Sequence, residues 1–450
     1  MVTIFLICYH LFNLIKFDIN MATGITKNAF NESSTLALLK HKNPYPIVPN
    51  EPIELNYKNK LAECEILKPL LSEFIDVAGN GSKVKISSSD LILGDNIFAL
   101  HQLIQQNKKM DLIYLDPPYN TGMDFESRSQ EHAYNDRFAI AAYLEDMRIR
   151  LILMREILSD EGSLYLHIGH QMMPYLKVIL DEVFGSKNCR NIITRRKCSS
   201  KNSTKNQYAN LNDFILFYTK TGNYIWNTQG EKPSDAWIQK EYPKVDEKGQ
   251  YKLVPIHAPG KRNGSTGTEW RGKMPPEGKH WQYTPDKLDA LDANGEIHWS
   301  KTGNPRRKVY LTNDKKLPYN DYWADFRDAH HQSIKITGYP TEKNLHMLKM
   351  IVASSSNQDS LVLDPFCGSG TTLQASAELG RQWIGMDQSF TAMKYSINRL
   401  TKGTKEMGDY VLAKQTSQLD LIEAEKLHSF RLLVDKDVYT EYQDQVDSLL

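Results

Sequence analysis

The sequence predicts an α/β fold, a doubly wound and mostly parallel sheet covered by helices on both faces. Two observations carry this: strand-like apolar runs alternate with helical periodicity in two separate blocks, and several of those runs end in an acid. A third is that the stretch between the blocks has another composition, richer in Gly, Pro, Lys and aromatic residues. At 450 residues the chain can bury one large core or two ordinary domains.

In the first block, about 84–184, LILGD (Leu91–Asp95) and DLIYLD (Asp111–Asp116) are short apolar runs ending in an acid. Between them Ile97, Leu100 and Ile104 repeat at helical spacing, which makes a βαβ unit. Ile140, Leu144, Met147, Leu151, Met154 and Leu158 then predict a long amphipathic helix, ended by Asp160, Glu161 and Gly162 before the strand SLYLHI (Ser163–Ile168). The second block, about 341–400, predicts a helix carrying Leu345, Leu348 and Ile351, and a strand SLVLD (Ser360–Asp364). A Gly-rich turn, a helix closing at Gly380, and a strand WIGMD (Trp383–Asp387) come next. Residues 189–325 read as an irregular insert, with DFILFYT (Asp213–Thr219) as a strand-like run inside it. The implied organisation is an N-terminal extension at 1–83, two halves of one domain at 84–188 and 326–402, the insert between them, and an acidic tail at 403–450.

Lys and Arg number 55 against 54 Asp and Glu, so the net charge of +1 excludes a global pull toward nucleic acid or anionic membrane; any such binding uses local patches. The five cysteines are odd in number and form no CxxC pair, which argues against a disulfide framework or a zinc site and fits a reducing cytoplasm. The adjacent pair His330 and His331 lacks partners at ligand spacing, so no metal is expected. Residues 1–20 form the one candidate targeting or membrane segment, but His10, Asn13, Lys16 and Asp18 interrupt it too early for a span. Two readings stand for it: translation starting at Met21, or a buried N-terminal element.

The sharpest chemical signal is Asp116-Pro117-Pro118-Tyr119-Asn120, directly after the strand DLIYL. Ligands of open α/β sheets bind outside the carboxyl ends of the strands, where this loop falls. Two prolines fix the backbone and expose carbonyl oxygens as rigid acceptors. A carboxylate, a fixed carbonyl and an aromatic face together suit a planar amine; the plain alternative is a proline-rich turn. The second signal is LDPFCGSGTT (Leu363–Thr372), again strand, turn and helix, without the spacing or the Lys of a phosphate-binding P-loop. Asp387 ends the next strand about 20 residues on, the position from which an acid can hold ribose hydroxyls. Cys367 beside this turn reads as small apolar packing rather than as a nucleophile.

With both loops in hand, the chain resembles the amino-group DNA methyltransferases of permuted order, with the catalytic loop ahead of the cofactor loop; the two motifs lie about 250 residues apart. It looks most like the adenine-N6 enzymes of restriction-modification systems, including type III modification subunits and related stand-alone enzymes. The resemblance covers roughly 86–400 and implies a Rossmann-like, S-adenosylmethionine-dependent methyltransferase fold with an inserted target-recognition region. It further implies that Asp116 and the Pro117 carbonyl accept the adenine N6 hydrogens and Tyr119 stacks on the flipped base, Pro118 completing the rigid loop. Asp364, Phe366, Gly368, Gly370 and Thr371 would form the S-adenosylmethionine pocket, Asp387 would hold the ribose, Asp95 would lie near the cofactor and Lys343 would contact its methionine end. One departure is Lys343-Asn344, where the family commonly has Lys-Pro.

The basic run opening the insert, with Arg195, Arg196 and Lys197, is expected to contact DNA phosphates, the alternative being a solvated loop. A second cluster, KTGNPRRK (Lys301–Lys308), is expected to position duplex DNA together with EWRGKMPPEGKHW before it. Cytosine-N4 methylation is the nearest rival activity, although Asp at the head of the loop resembles the adenine branch. RNA or protein amide methylation and a catalytically silent DNA-binding subunit are the other readings. By resemblance, a restriction subunit and a second copy of the chain are the partners implied, in the cytoplasm and without a membrane.

Overall fold

The computed structural model describes residues 53–79, 82–119, 139–198, 206–327, 342–403 and 429–449, with short strands at 124–126, 132–135, 335–336 and 405–406. The chain divides into units 1–53 and 54–450, and every helix and strand named below belongs to the second. The expectations for residues 1–20 and for His330 and His331 lie outside the described residues.

Strands buried on both faces read as unbroken apolar runs, and such runs build the centre of the sheet. In chain order its strands are β1 (Phe74–Asp76), β2 (Ser82–Val84), β3 (Asp90–Leu93), β4 (Met110–Leu115), β5 (Leu158–Ile168), β6 (Cys189–Arg196), β7 (Asn212–Thr219), β8 (Tyr322–Trp323), β9 (Leu361–Asp364), β10 (Gln382–Asp387) and β11 (Arg431–Asp435). They lie side by side as β8-β6-β7-β5-β4-β9-β10-β3-β11-β1-β2. The six from β5 to β11 in that order are mutually parallel, while β7 runs antiparallel to β5, and β1 antiparallel to β11.

Alternation along the strands feeds three hydrophobic clusters. Ile113 and Leu115 of β4 pack with α1 (Asn96–Gln105), α2 (Ile140–Ile157) and α3 (Met173–Phe184) through Leu100, Leu151 and Leu176. On the other face Leu112 and Tyr114 meet α4 (Leu345–Ser355) through Met347, Leu348 and Ile351. Leu91 and Leu93 of β3 meet α5 (Thr371–Glu378), α6 (Phe390–Lys402) and α7 (Lys436–Asp447) through Leu373, Met393 and Val446.

Several expected boundaries shift. The sheet does not stop at residues 84 and 402: β1 and β2 add to it from the N-terminal side, and β11 inserts beside β3, so the region read as an acidic tail supplies a buried strand. β6 and β7, expected inside the insert, pair with each other and with β5 in the main sheet. Asp160, Glu161 and Gly162 do not cap α2; they sit within β5, where the pairing with β4 skips between Leu158 and Ser163. The insert proper has its own antiparallel sheet, at 244–246, 249–255, 305–310 and 297–299, over a small core of Ile256, Trp270, Trp281, Leu288, Leu291 and Ile297. Among the described residues no helix is long and apolar enough to cross a membrane.

Leu433 of β11 is fully buried. Leu433→Ala is expected to cost about 2–5 kcal/mol of stability in urea unfolding. A loss below about 0.5 kcal/mol would show the strand to be a surface appendage.

Candidate active site

Parallel pairing decides which residues meet. Ile113 lies opposite Leu363, so β4 and β9 end together, and Asp116 and Asp364 emerge at one edge of the sheet. Asp387 ends β10 opposite Leu93 of β3, and the Gly94 amide beyond it donates to the Asp387 carbonyl at 3.0 Å, which brings Asp95 to the same edge.

In the first loop, the Tyr119 hydroxyl donates to Asp116 Oδ1 at 2.9 Å and Lys343 Nζ lies 2.6 Å from Oδ2. The same ammonium sits 5.4 Å from the Tyr119 ring centre. The Tyr143 hydroxyl of α2 donates to the Pro118 carbonyl at 2.8 Å and anchors the double proline. A Cβ on Gly169, just past β5, would lie 3.0 Å from the Tyr119 ring, so that glycine admits the tyrosine. Burial pushes the Asp116 carboxyl above its usual range, against the pull of Lys343 and of the Tyr119 hydroxyl.

In the second loop, Asp364 accepts from the Phe366 amide at 3.1 Å, and Asp387 accepts from the Gly368 amide at 2.9 Å and the Ser389 amide at 2.9 Å. Gly370 has φ of +74°, and a Cβ there would lie 2.9 Å from Ser396 Oγ; only glycine fits before Thr371 starts α5. Burial raises Asp364 to about 7 and Asp387 to about 6, with the neighbouring carboxylates adding to Asp364. Asp95 caps α1 and pairs with Arg150 at 2.9 Å. Cys367 is buried against Ser396, its thiol pushed up by burial, which suits packing and not attack. A ligand rich in hydroxyl donors and carrying a positive charge would relieve this crowding of acids, and S-adenosylmethionine has both properties.

A family model described as DNA methylase matches residues 110–398, a span containing both loops and the insert. The chain belongs to the DNA methylase family. Among curated relatives, the type II methyltransferase M.EcaI of Enterobacter cloacae is 59% identical over 371 residues, 82% of each chain. The StyLTI Mod subunit of a type III restriction-modification enzyme from Salmonella typhimurium is 29% identical, over 68% of this chain and 52% of that one. Of solved structures, the M1.HpyAVI–SAM complex aligns with 69% of this chain and 98% of its own at 16% identity and a TM-score of 0.36.

Not every expected site residue of this methylase lies where the sequence suggested. Arg195 is a correction: it is fully buried, its Nε donates to the Phe326 carbonyl at 2.7 Å, and its guanidinium faces Asp213 at 3.7 Å, so it cannot reach a phosphate without leaving the core. Lys197 is held by Asp213 at 2.7 Å, and Arg196 is half-buried with its Nε on the Cys198 carbonyl. In the second cluster, Lys308 pairs with Asp246 and Arg307 with Glu296 inside the insert, while Lys301 and Arg306 are exposed. Lys343, expected at the cofactor's methionine end, pairs with Asp116. Asn344, where proline was the family expectation, caps α4 by accepting from the Met347 amide at 3.1 Å.

Three polar groups of the site escaped the sequence reading. Arg399 of α6, nearly fully buried, donates to the Ser369 carbonyl at 2.6 Å and pairs with Glu342, pinning the residue before Lys343 to the glycine loop. His167 and Asp213, both buried, stand behind Asp116. His167 does sit in an alternating run, SLYLHI, but nothing local says what it faces.

A carboxyl whose folded value is raised favours the fold while protonated and loses that contribution as pH rises through the folded value. For Asp364 the window runs from about 4, the usual carboxyl value, to about 7. Asp364→Asn is therefore expected to raise the thermal midpoint at pH 8 and leave it nearly unchanged at pH 4. Equal shifts at both pH values would mean that the carboxylate carries no such penalty.

Proposed function

We propose that this DNA methylase transfers a methyl group from S-adenosylmethionine to N6 of adenine in duplex DNA, as the modification enzyme of a cytoplasmic restriction-modification system. The observation that carries the reading is the meeting of the Asp116–Tyr119 loop and the Asp364–Thr371 loop at one sheet edge, with Asp387 between them and Asp95.

The target amine of duplex adenine faces its partner base, so the nucleotide must be extruded for a methyl donor to approach. Asp116 and the Pro117 carbonyl would take the two N–H groups, and Tyr119 would stack on the ring, holding the nitrogen in line. S-adenosylmethionine, when bound, supplies an electrophilic methyl group; Asp387 suits its ribose, and Phe366, Gly368, Gly370 and Thr371 suit the rest of the nucleoside. After transfer the nitrogen carries one proton too many, and a carboxylate of raised proton affinity at Asp116 suits its removal. Asp at the head of the loop supports adenine over cytosine. The names of the relatives M.EcaI and StyLTI Mod support the restriction-modification setting, with a restriction subunit and a second copy of this chain as proposed partners. Of the basic run, Arg196 is the proposed phosphate contact, with Lys301 and Arg306 on the insert.

Mixed-sequence duplex DNA incubated with labelled S-adenosylmethionine is expected to yield N6-methyladenine on nucleoside analysis. N4-methylcytosine would keep the mechanism and change the base, and no transfer would overturn the reading. Asp116→Ala is expected to lower the rate by more than about 100-fold. Cofactor affinity should stay within about tenfold, since Asp387 and the glycine loop remain. Retained methylation by this variant would remove Asp116 from its role.

A further inference from the structure

A row of buried charges runs from the catalytic loop into the sheet. It begins with Lys343 on Asp116, at 2.6 Å. Asp116 Oδ1 lies 3.9 Å from His167 Nδ1, and His167 Nε2 lies 3.8 Å from Asp213 Oδ2. Asp213 in turn faces Arg195 at 3.7 Å and Lys197 at 2.7 Å. Cation, carboxylate, imidazole, carboxylate and cation thus alternate, contributed by the segment before α4, the end of β4, then β5, β7 and β6 with the residue after it. His167 and Arg195 are fully buried and Asp213 nearly so, so water screens little of this row. The imidazole is held neutral by burial and by the cations at both ends. Its Nδ1 lies 2.8 Å from the hydroxyl of Tyr114, two residues before Asp116. The tautomer with hydrogen on Nε2 turns that N–H toward Asp213 and lets Nδ1 accept from Tyr114.

We propose that His167 and Asp213 are positioning residues for Asp116, and that Arg195 and Lys197 of the basic run act on methyl transfer through them instead of through DNA. This rests on the reading of Asp116 as acceptor of the target amine. His167 supports the strand end that carries the carboxylate, and the charge of Asp213 opposes ionisation of Asp116 while Lys343 favours it, so the row sets how readily that carboxylate ionises. The charged and titratable groups facing Asp116 are Lys343, Tyr119, Tyr114, His167, Asp213 and Asp364, with Arg195 and Lys197 behind Asp213. Removing the negative charge of Asp213, with its two cations left in place, makes ionisation of Asp116 easier; removing Lys197 makes it harder.

The test is the pH profile of single-turnover methyl transfer at saturating DNA and cofactor. In Asp213→Asn the acidic limb is expected to move down by roughly 0.5 pH unit or more, and in Lys197→Met up by roughly 0.3. Lys197→Met should also leave the salt slope of DNA binding unchanged, whereas a phosphate contact would lower it by about one. His167→Phe is expected to slow transfer about tenfold or more with DNA affinity little changed, and His167→Asn, whose amide reaches the Nδ1 position, to recover most of it. Lys197 lies at the partly exposed end of the row, so its variant tests the idea even where Asp213→Asn fails to fold. Wild-type protein that transfers no methyl group would sink the reading of Asp116 itself. Active enzyme whose acidic limb stays put in both charge variants, or a lowered salt slope in Lys197→Met, would overturn the row alone.

Discussion

Backbone pairing of β4 with β9 joins residues about 250 positions apart, and the placing of every site residue depends on it. Parallel strands in register must end at the same edge, so a loop with acceptors for an amine and a loop with a tight glycine turn become neighbours without any side chain attracting the other. The same geometry crowds Asp95, Asp116, Asp364 and Asp387 together. Burial of Asp364 and Asp387, with the neighbouring carboxylates adding to Asp364, costs stability in the protein by itself, and a ligand bringing positive charge and hydroxyl donors to the edge would recover it.

The interior around the edge is organised by ions as much as by apolar contact. Arg399 spans Ser369, Gln374 and Glu342, tying α6, the glycine loop and the approach to α4 into one unit. Buried ion pairs of this kind rarely add much net stability, but an arginine with several fixed acceptors admits few alternative arrangements. The glycine loop and Lys343 therefore share one support, and a shift in either is felt by the other.

The physics of each element decided whether it was legible in the sequence. β4 and β9 were readable because strands covered on both faces are apolar throughout, and the loops after them because Pro-Pro and closely spaced glycines leave few backbone options. β11 was hidden by its setting, since RLLVD is a short run inside an acidic stretch and its neighbour β3 lies some 340 residues earlier. The basic run misled because composition was read where alternation rules: in β6, Ile193 and Arg195 share the inward face, so one arginine of a charged segment is in the core. His167 has the right period for burial, but its partners Tyr114 and Asp213 come from other strands, and no local pattern names them. The basic cluster of the insert was the least legible, because Lys308 and Arg307 are engaged by acids from other strands and loops of that small domain.

The strand order also bears on how such an enzyme comes into being. β3 lies between β10 and β11, and β9 is one of the two neighbours of β4, so each of these early central strands waits for a partner made hundreds of residues later. Pairings this distant in sequence close slowly and leave strand edges open meanwhile. A nascent chain emerging from the ribosome carries the Asp116 loop about 250 residues before it carries β9, and it has no cofactor pocket beside that loop until β9 and β10 are made. Competence to modify DNA therefore arises in one late step, and a truncated translation product would hold half a site with no means to use it.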